Sequence, residues 1–108
     1  GSAGYVEDAL AGEDIDAAFL GIGGLGSRPV AYKQAYWEET VGKTKAERVY
    51  PTHWDDFFLP LSEPLRASGG PINDFESGMD FLIVKAADEG RILHMVDAFA
   101  TVLPFRAE

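Results

Sequence analysis

Ala17-Ala18-Phe19-Leu20-Gly21-Ile22-Gly23-Gly24-Leu25-Gly26 opens as a short apolar run and dissolves into four glycines. A run of that length bounded by turn residues suits a buried strand feeding a tight loop. Pro29 follows at a place where a helix can begin, and from Val30 to Lys45 there is no proline and a single glycine, so a helix is predicted there. Arg48-Val49-Tyr50 then reads as a second strand, stopped by Pro51. Strand, helix and strand in this order form a βαβ unit, in which the strands are parallel and the crossover is right-handed. In an open parallel sheet the loops leaving the carboxyl ends of the strands share one edge, and ligands bind at that edge. Gly21 to Ser27 and Thr52 to Asp56 both belong to it.

Further along the chain, Asp74 to Glu89 carries Phe75, Met79, Leu82, Ile83 and Ala86 at the three- and four-residue spacings of an amphipathic helix. Asn73 or Asp74 would cap it and Gly90 would end it. Arg91 to Val96 and Phe99 to Leu103 read as closing strands, while Gly21 to Pro29 and Pro60 to Pro71 read as loops. The expected class is α/β within a single domain.

Composition narrows the function. With 46% hydrophobic and 12% aromatic residues in 108, the chain can bury a core and is not a disordered tail. Nine Lys and Arg against 18 Asp and Glu leave a net charge of −9, which repels phosphate backbones and anionic lipid, so nucleic acid is not an expected partner. No apolar run approaches the roughly 20 residues of a membrane span. A cytoplasmic location is expected, with Gly1-Ser2 either native or a cloning remnant. Cysteine is absent, so any metal must be held by His and carboxylates, and only His53 and His94 are present. Hydrolytic zinc sites take about three protein ligands. The shortage implies that further ligands lie outside this sequence.

The densest chemistry is Tyr50-Pro51-Thr52-His53-Trp54-Asp55-Asp56, an imidazole just past a strand end with two carboxylates behind it. A neutral imidazole is a good ligand for a divalent ion, and a carboxylate or backbone carbonyl on its other nitrogen fixes tautomer and ring direction. Asp55 or Asp56 could serve there. The plainer alternative makes His53 a loop residue bonded to backbone, Trp54 a partly buried anchor, and Asp55 the cap of a helix through Phe57 and Phe58. Gly21-Ile22-Gly23-Gly24-Leu25-Gly26 fits G-x-G-x-x-G, the dinucleotide fingerprint, but the next strand ends Tyr50-Pro51-Thr52-His53 without the acid that would hold a ribose hydroxyl. A turn that lets backbone approach closely is favoured over nucleotide binding. Ser62, Ser68 and Ser77 lack the G-x-S-x-G elbow of a nucleophile. His94, within Ile92-Leu93-His94-Met95-Val96, reads as structural, and Glu38, Glu39, Lys43 and Lys45 as a solvated helix face.

Phe19 to Gly26, the region of Tyr36-Trp37 and above all Val49-Tyr50-Pro51-Thr52-His53-Trp54 resemble the C-terminal half of metallo-β-lactamase-fold hydrolases. The likeness is nearest to the branch containing ascorbate-phosphate lactonases and N-acylphosphatidylethanolamine phospholipases. It implies half of an αββα sandwich, with one or two metal ions, zinc or else manganese or iron, at the edge where the halves meet. The family's H-x-H-x-D-H motif belongs to the first half and is not in this sequence, so the N-terminal half of the same protein is the implied partner. His53 matches the family's last metal-binding histidine. Gly1-Ser2-Ala3-Gly4-Tyr5 resembles the G-D-[ST]-G segment with Ser2, a weak ligand, at the bridging aspartate, which implies either a weakened second site and a mononuclear centre or, with Gly1-Ser2 a cloning remnant, an accidental match. By the same likeness Asp55 takes a catalytic role, either steadying the metal-binding imidazole or orienting the substrate, and Gly23, Gly24 and Trp54 line the substrate pocket. The implied reaction is hydrolysis of a small-molecule ester, lactone or phosphodiester by metal-activated water, with this chain inert by itself. A homo-oligomer is compatible with it. The alternatives are a nucleotide- or phosphate-binding α/β module that uses the Gly21 to Gly26 loop, and a domain whose metal site has decayed.

Overall fold

A computed structural model describes residues 3–54, 60, 62–64 and 74–95. Strand β1 (Ala17–Gly21) leads through a 3-10 turn (Leu25–Ser27) into helix α1 (Val30–Trp37), which continues as a π-helical turn (Glu38–Gly42). Strand β2 (Arg48–Thr52), helix α2 (Phe75–Glu89) and strand β3 (Ile92–Leu93) follow. Among the described residues the sheet has the order β1-β2-β3, and both pairs are parallel. The class is mixed α/β, as expected.

Both crossovers step the same way across the sheet, so right-handed connections carry α1 and α2 to the same face. The core records this: Ala18, Leu20, Val49 and Leu93 from one face of the strands cluster with Tyr36, Trp37, Val41, Leu82 and Ala86. The other face carries Phe19, stacked on Tyr50 with ring centroids 4.9 Å apart. His94 lies 5.9 Å beyond Tyr50.

Four expectations are corrected. The helix predicted from Val30 to Lys45 is regular only to Trp37, after which the Lys43 N–H reaches back five residues to the Glu38 carbonyl at 2.9 Å. Thr40 Oγ1 bonds the Tyr36 carbonyl at 2.5 Å, a contact that bends helices. The widened turn keeps Val41 in the core beside Trp37. Pro51 does not stop β2 but lies inside it, opposite Leu20. The carbonyls of Glu47 and Val49 accept from Ile92 and His94, so alternate residues of β2 face β3, and the proline nitrogen points that way. Pairing with β3 reaches only to Val49, so no ladder bond is lost.

Ile83 is not on the buried face of α2; it is 53% exposed, next to Val84. The buried stripe runs through Gly78, Leu82 and Ala86, because Gly78 packs directly on the backbone of Gly26. Ile83 stands about 100° around the helix from Leu82 and falls on the flank. Finally, of the strand predicted over Arg91 to Val96, the described residues 91–95 pair only at Ile92–Leu93, and Val96 and Phe99 to Leu103 lie outside the described residues. The expected ends of α2 hold: the Asp74 side chain accepts from the Ser77 N–H, and Gly90 closes the helix at φ 67.

The stripe sets a contrast in stability. Leu82→Ala empties a fully buried position and is expected to cost about 2–5 kcal/mol. Ile83→Ala is expected to stay within about 0.5 kcal/mol, as for an open surface site. Urea unfolding of both variants checks the assignment, and equal losses would place the face wrongly.

Candidate functional site

Gly21 pairs with Thr52, and the Ile22 N–H donates to the Thr52 carbonyl at 3.0 Å, so the two strands end together. The glycine loop and the Thr52-His53-Trp54 segment therefore leave the sheet at one edge, as the βαβ reading requires. Immediately after β2 the backbone of His53 turns left-handed, φ 57, a conformation uncommon in residues other than glycine. Strained backbone of this kind is concentrated at functional sites. The turn brings the imidazole back over the glycine loop. A Cβ on Gly23 would stand 2.5 Å from Nδ1 of His53 and 2.9 Å from Cε1, and Nδ1 is closed off from solvent.

Trp54 is half-buried, its ring 6.2 Å from that of Phe75 at 47°. Ile22, Gly23, His53, Trp54, Phe75 and Gly78 enclose a niche of about 10 Å³. That is room for about one water molecule, so a substrate must lie outside it. Gly24 belongs to the same loop, where its φ of 76 makes the bend into the 3-10 turn. His53, Gly23 and Trp54 are thus brought together, with Gly24 next to them. Asp55, Asp56, Ser2 and Ser68 lie outside the described residues. Ser62 is exposed, and the Ser77 N–H is used in capping α2.

Sequence reasoning passed over Phe75 and Gly78 as site residues. A glycine inside an amphipathic helix was the available signal, because it marks close packing. It also passed over Tyr36, whose hydroxyl donates to the Gly21 carbonyl and so holds the end of β1. Glu39, expected on a solvated face, is buried instead. Its carboxylate accepts from Lys43 Nζ at 2.6 Å and from the Asp8 N–H at 2.8 Å, and Lys43 also reaches Asp8 at 2.7 Å. The hydrogen bond from Lys43 holds the Glu39 carboxyl below its ordinary range, and Asp8 followed by Glu39 pushes the Lys43 ammonium up. Glu39 borders a second, wider cleft of about 340 Å³, lined also by Tyr5, Val6, Ala9, Leu10 and Thr40.

Among the described residues no three His, Asp or Glu side chains converge to hold a metal ion, and no helix is long and apolar enough to cross a membrane. No family model matches the chain, and neither curated proteins nor solved structures show a significant likeness to it.

Burial, and then the neighbouring Tyr32, push the Tyr36 phenol up to about 12 from 10.0. A value raised in the folded state contributes stability that is whole below pH 10 and is lost as pH rises toward 12. Wild type is therefore expected to lose more stability between pH 10 and 12 than Tyr36→Phe, which keeps the ring without the ionising group. Urea midpoints at stepped pH test this; parallel curves would count against it.

Proposed function

We propose that this chain is the C-terminal half of a metallo-β-lactamase-like hydrolase that cleaves a small-molecule ester, lactone or phosphodiester, with His53 as a metal ligand. The observation that carries the proposal is the imidazole itself: it follows a parallel strand, sits at the ligand-binding edge of the sheet, and is held in a strained turn against Gly23. A neutral imidazole nitrogen fits zinc, and also manganese or iron. The remaining ligands come from the N-terminal half, and Ser2 at the bridging place favours a single ion. When bound, the metal supplies polarisation of the scissile group and lowers the pKa of water to about 7.

The chain's own residues hold and orient. Asp55, by its likeness to the family, directs the substrate or steadies the imidazole. Trp54 forms an apolar wall next to His53, packed on Phe75, while Gly23 and Gly24 shape the loop beneath. On the sheet's second face Tyr50 and Arg48 of the central strand are buried, while Phe19 and Ile92 on the flanking strands are 59% and 49% exposed and leave apolar surface to cover. Parallel sheets are usually covered on both faces, and the other half of the sandwich would supply the cover.

The nucleotide- or phosphate-binding alternative is less favoured, because the space left by the glycines is taken by the protein itself: by the His53 ring at Gly23 and by the Asp74 carbonyl at Gly26. Metal analysis of the intact protein decides between them. His53→Ala is expected to reduce bound zinc at least tenfold and to abolish ester or phosphodiester hydrolysis. Unchanged zinc together with measurable NAD affinity would favour the alternative. The 108-residue chain alone is expected to be inert, and robust turnover by it would overturn the division into halves.

A further inference from the structure

We infer that the glycine loop is a mould for His53, in which Gly23 is a positioning residue that sets the direction of the imidazole through the Cβ it lacks. What the ring is positioned for rests on the hydrolase proposal; that it is positioned does not. The G-x-G-x-x-G pattern invites a reading as a phosphate cradle or as a flexible turn, and the geometry of the loop disfavours both.

Of the loop glycines, Gly24 has a positive φ, whereas Gly23 and Gly26 do not. An alanine would fit the backbone of either, so their requirement for glycine comes from what lies against them. At Gly23 that is the ring of His53, with Nδ1, Cε1 and Cγ at 2.5, 2.9 and 3.3 Å from where a Cβ would be. Three ring atoms close to one point mean that the imidazole lies across the Cα of Gly23. At Gly26 a Cβ would run into the carbonyl of Asp74, with the Gly78 nitrogen 2.9 Å away. The closeness is mutual, since a Cβ on Gly78 would stand 3.3 Å from the Gly26 nitrogen.

The loop is thus wedged between a side chain and a helix. Part of its main chain is committed as well: the Ile22 N–H donates to Thr52, the Leu25 N–H to Ile22, and the Gly23 carbonyl accepts from Ala3. An anion cradle needs main-chain N–H groups turned outward to the ligand, and those of Ile22 and Leu25 are already bonded within the protein. From the other side, the left-handed backbone of His53 presses its ring onto the loop. Ring direction follows from contact with backbone atoms, which cannot swing aside as a flexible side chain could.

Three measurements test the assignment. In the wild-type chain, NMR should show a strong nuclear Overhauser contact between Gly23 Hα and His53 Hε1, and its absence would overturn the mould. In a double-mutant cycle read by urea unfolding, Gly23→Ala should be clearly destabilising in wild type and much less so in a His53→Ala background, where the obstructing ring is gone. Equal losses in the two backgrounds would sink the inference, and the His53→Ala arm supplies an answer if Gly23→Ala alone does not fold. In the intact protein, Gly23→Ala should weaken zinc binding about 10–100-fold, the usual effect of losing a group that orients a metal ligand. Gly12→Ala, which strains a left-handed glycine in open space, should leave zinc affinity unchanged. Loss of zinc in His53→Ala with wild-type affinity in Gly23→Ala would refute the positioning role and spare the hydrolase proposal. Retention of zinc in His53→Ala would refute the hydrolase proposal, and with it the metal-orienting part of the inference.

Discussion

Where Gly26 crosses Gly78, two backbones meet more closely than any side chain would permit, and the arrangement of the molecule depends on that crossing. It clamps the loop leaving β1 onto the first turn of α2. Leu25, fully buried one residue before the crossing, and Leu82, one helical turn after it, carry the contact into the core. The same clamp brings Phe75 to Trp54 and so closes the wall next to His53. Adding a methyl group at Gly26 would push α2 away from the sheet as a unit, since the obstacle is backbone and has no rotamer to change.

The opposite end of the sheet is held by polar contacts. Trp37 Nε1 donates to Glu89 at 2.9 Å, Glu89 pairs with Arg91 at 2.9 Å, and Arg91 donates to the Ala46 carbonyl at 2.5 Å. These bonds tie the end of α1, the end of α2 and the entry to β2 into one knot. Glu39 and Lys43 do the same for the segment around Asp8. Because Glu39 is held below its ordinary value of 4.5, its contribution is present above that pH and is lost as the pH falls through the lowered value. The contribution of Lys43 has the opposite sense: its raised value keeps the pair intact until strongly alkaline pH. The end bearing His53 adds close packing of glycines and aromatic rings to the bond from the Tyr36 hydroxyl to the Gly21 carbonyl.

Much of this could be read from residue order. The two parallel strands, the Asp74 and Gly90 ends of α2 and the placement of His53 at the carboxyl edge of the sheet follow from local signals: apolar runs, caps and the right-handed crossover. What could not be read were the features set by contacts distant in sequence. Pro51 lies inside β2 only because β3 is too short to need its N–H. Ile83 lost its expected place to Gly78 because of a glycine more than fifty residues earlier. Glu39 is buried because Asp8 and Lys43 converge on it, and a helix pattern cannot show that. The glycine motif is the clearest case. The missing acid argued against a nucleotide, but what fills the loop instead is a ring thirty residues downstream, and no property of the motif itself names it.

On the proposed reading of His53 as a metal ligand, such a histidine could hang loosely and be drawn into place by the metal, or be aimed in advance. The two cases differ in where the ordering cost falls. A free imidazole loses rotamer freedom on binding and weakens the site by that amount, whereas one already wedged in a strained turn has met the cost during folding. His53 belongs to the second kind, because the left-handed backbone, the ring across Gly23 and the crossing at Gly26 are all made by this chain alone. On the proposed division into halves, the C-terminal half then contributes a rigid ligand. Assembly of the site becomes a matter of bringing the remaining ligands to a fixed nitrogen, which also fixes where the second half must dock relative to this sheet edge.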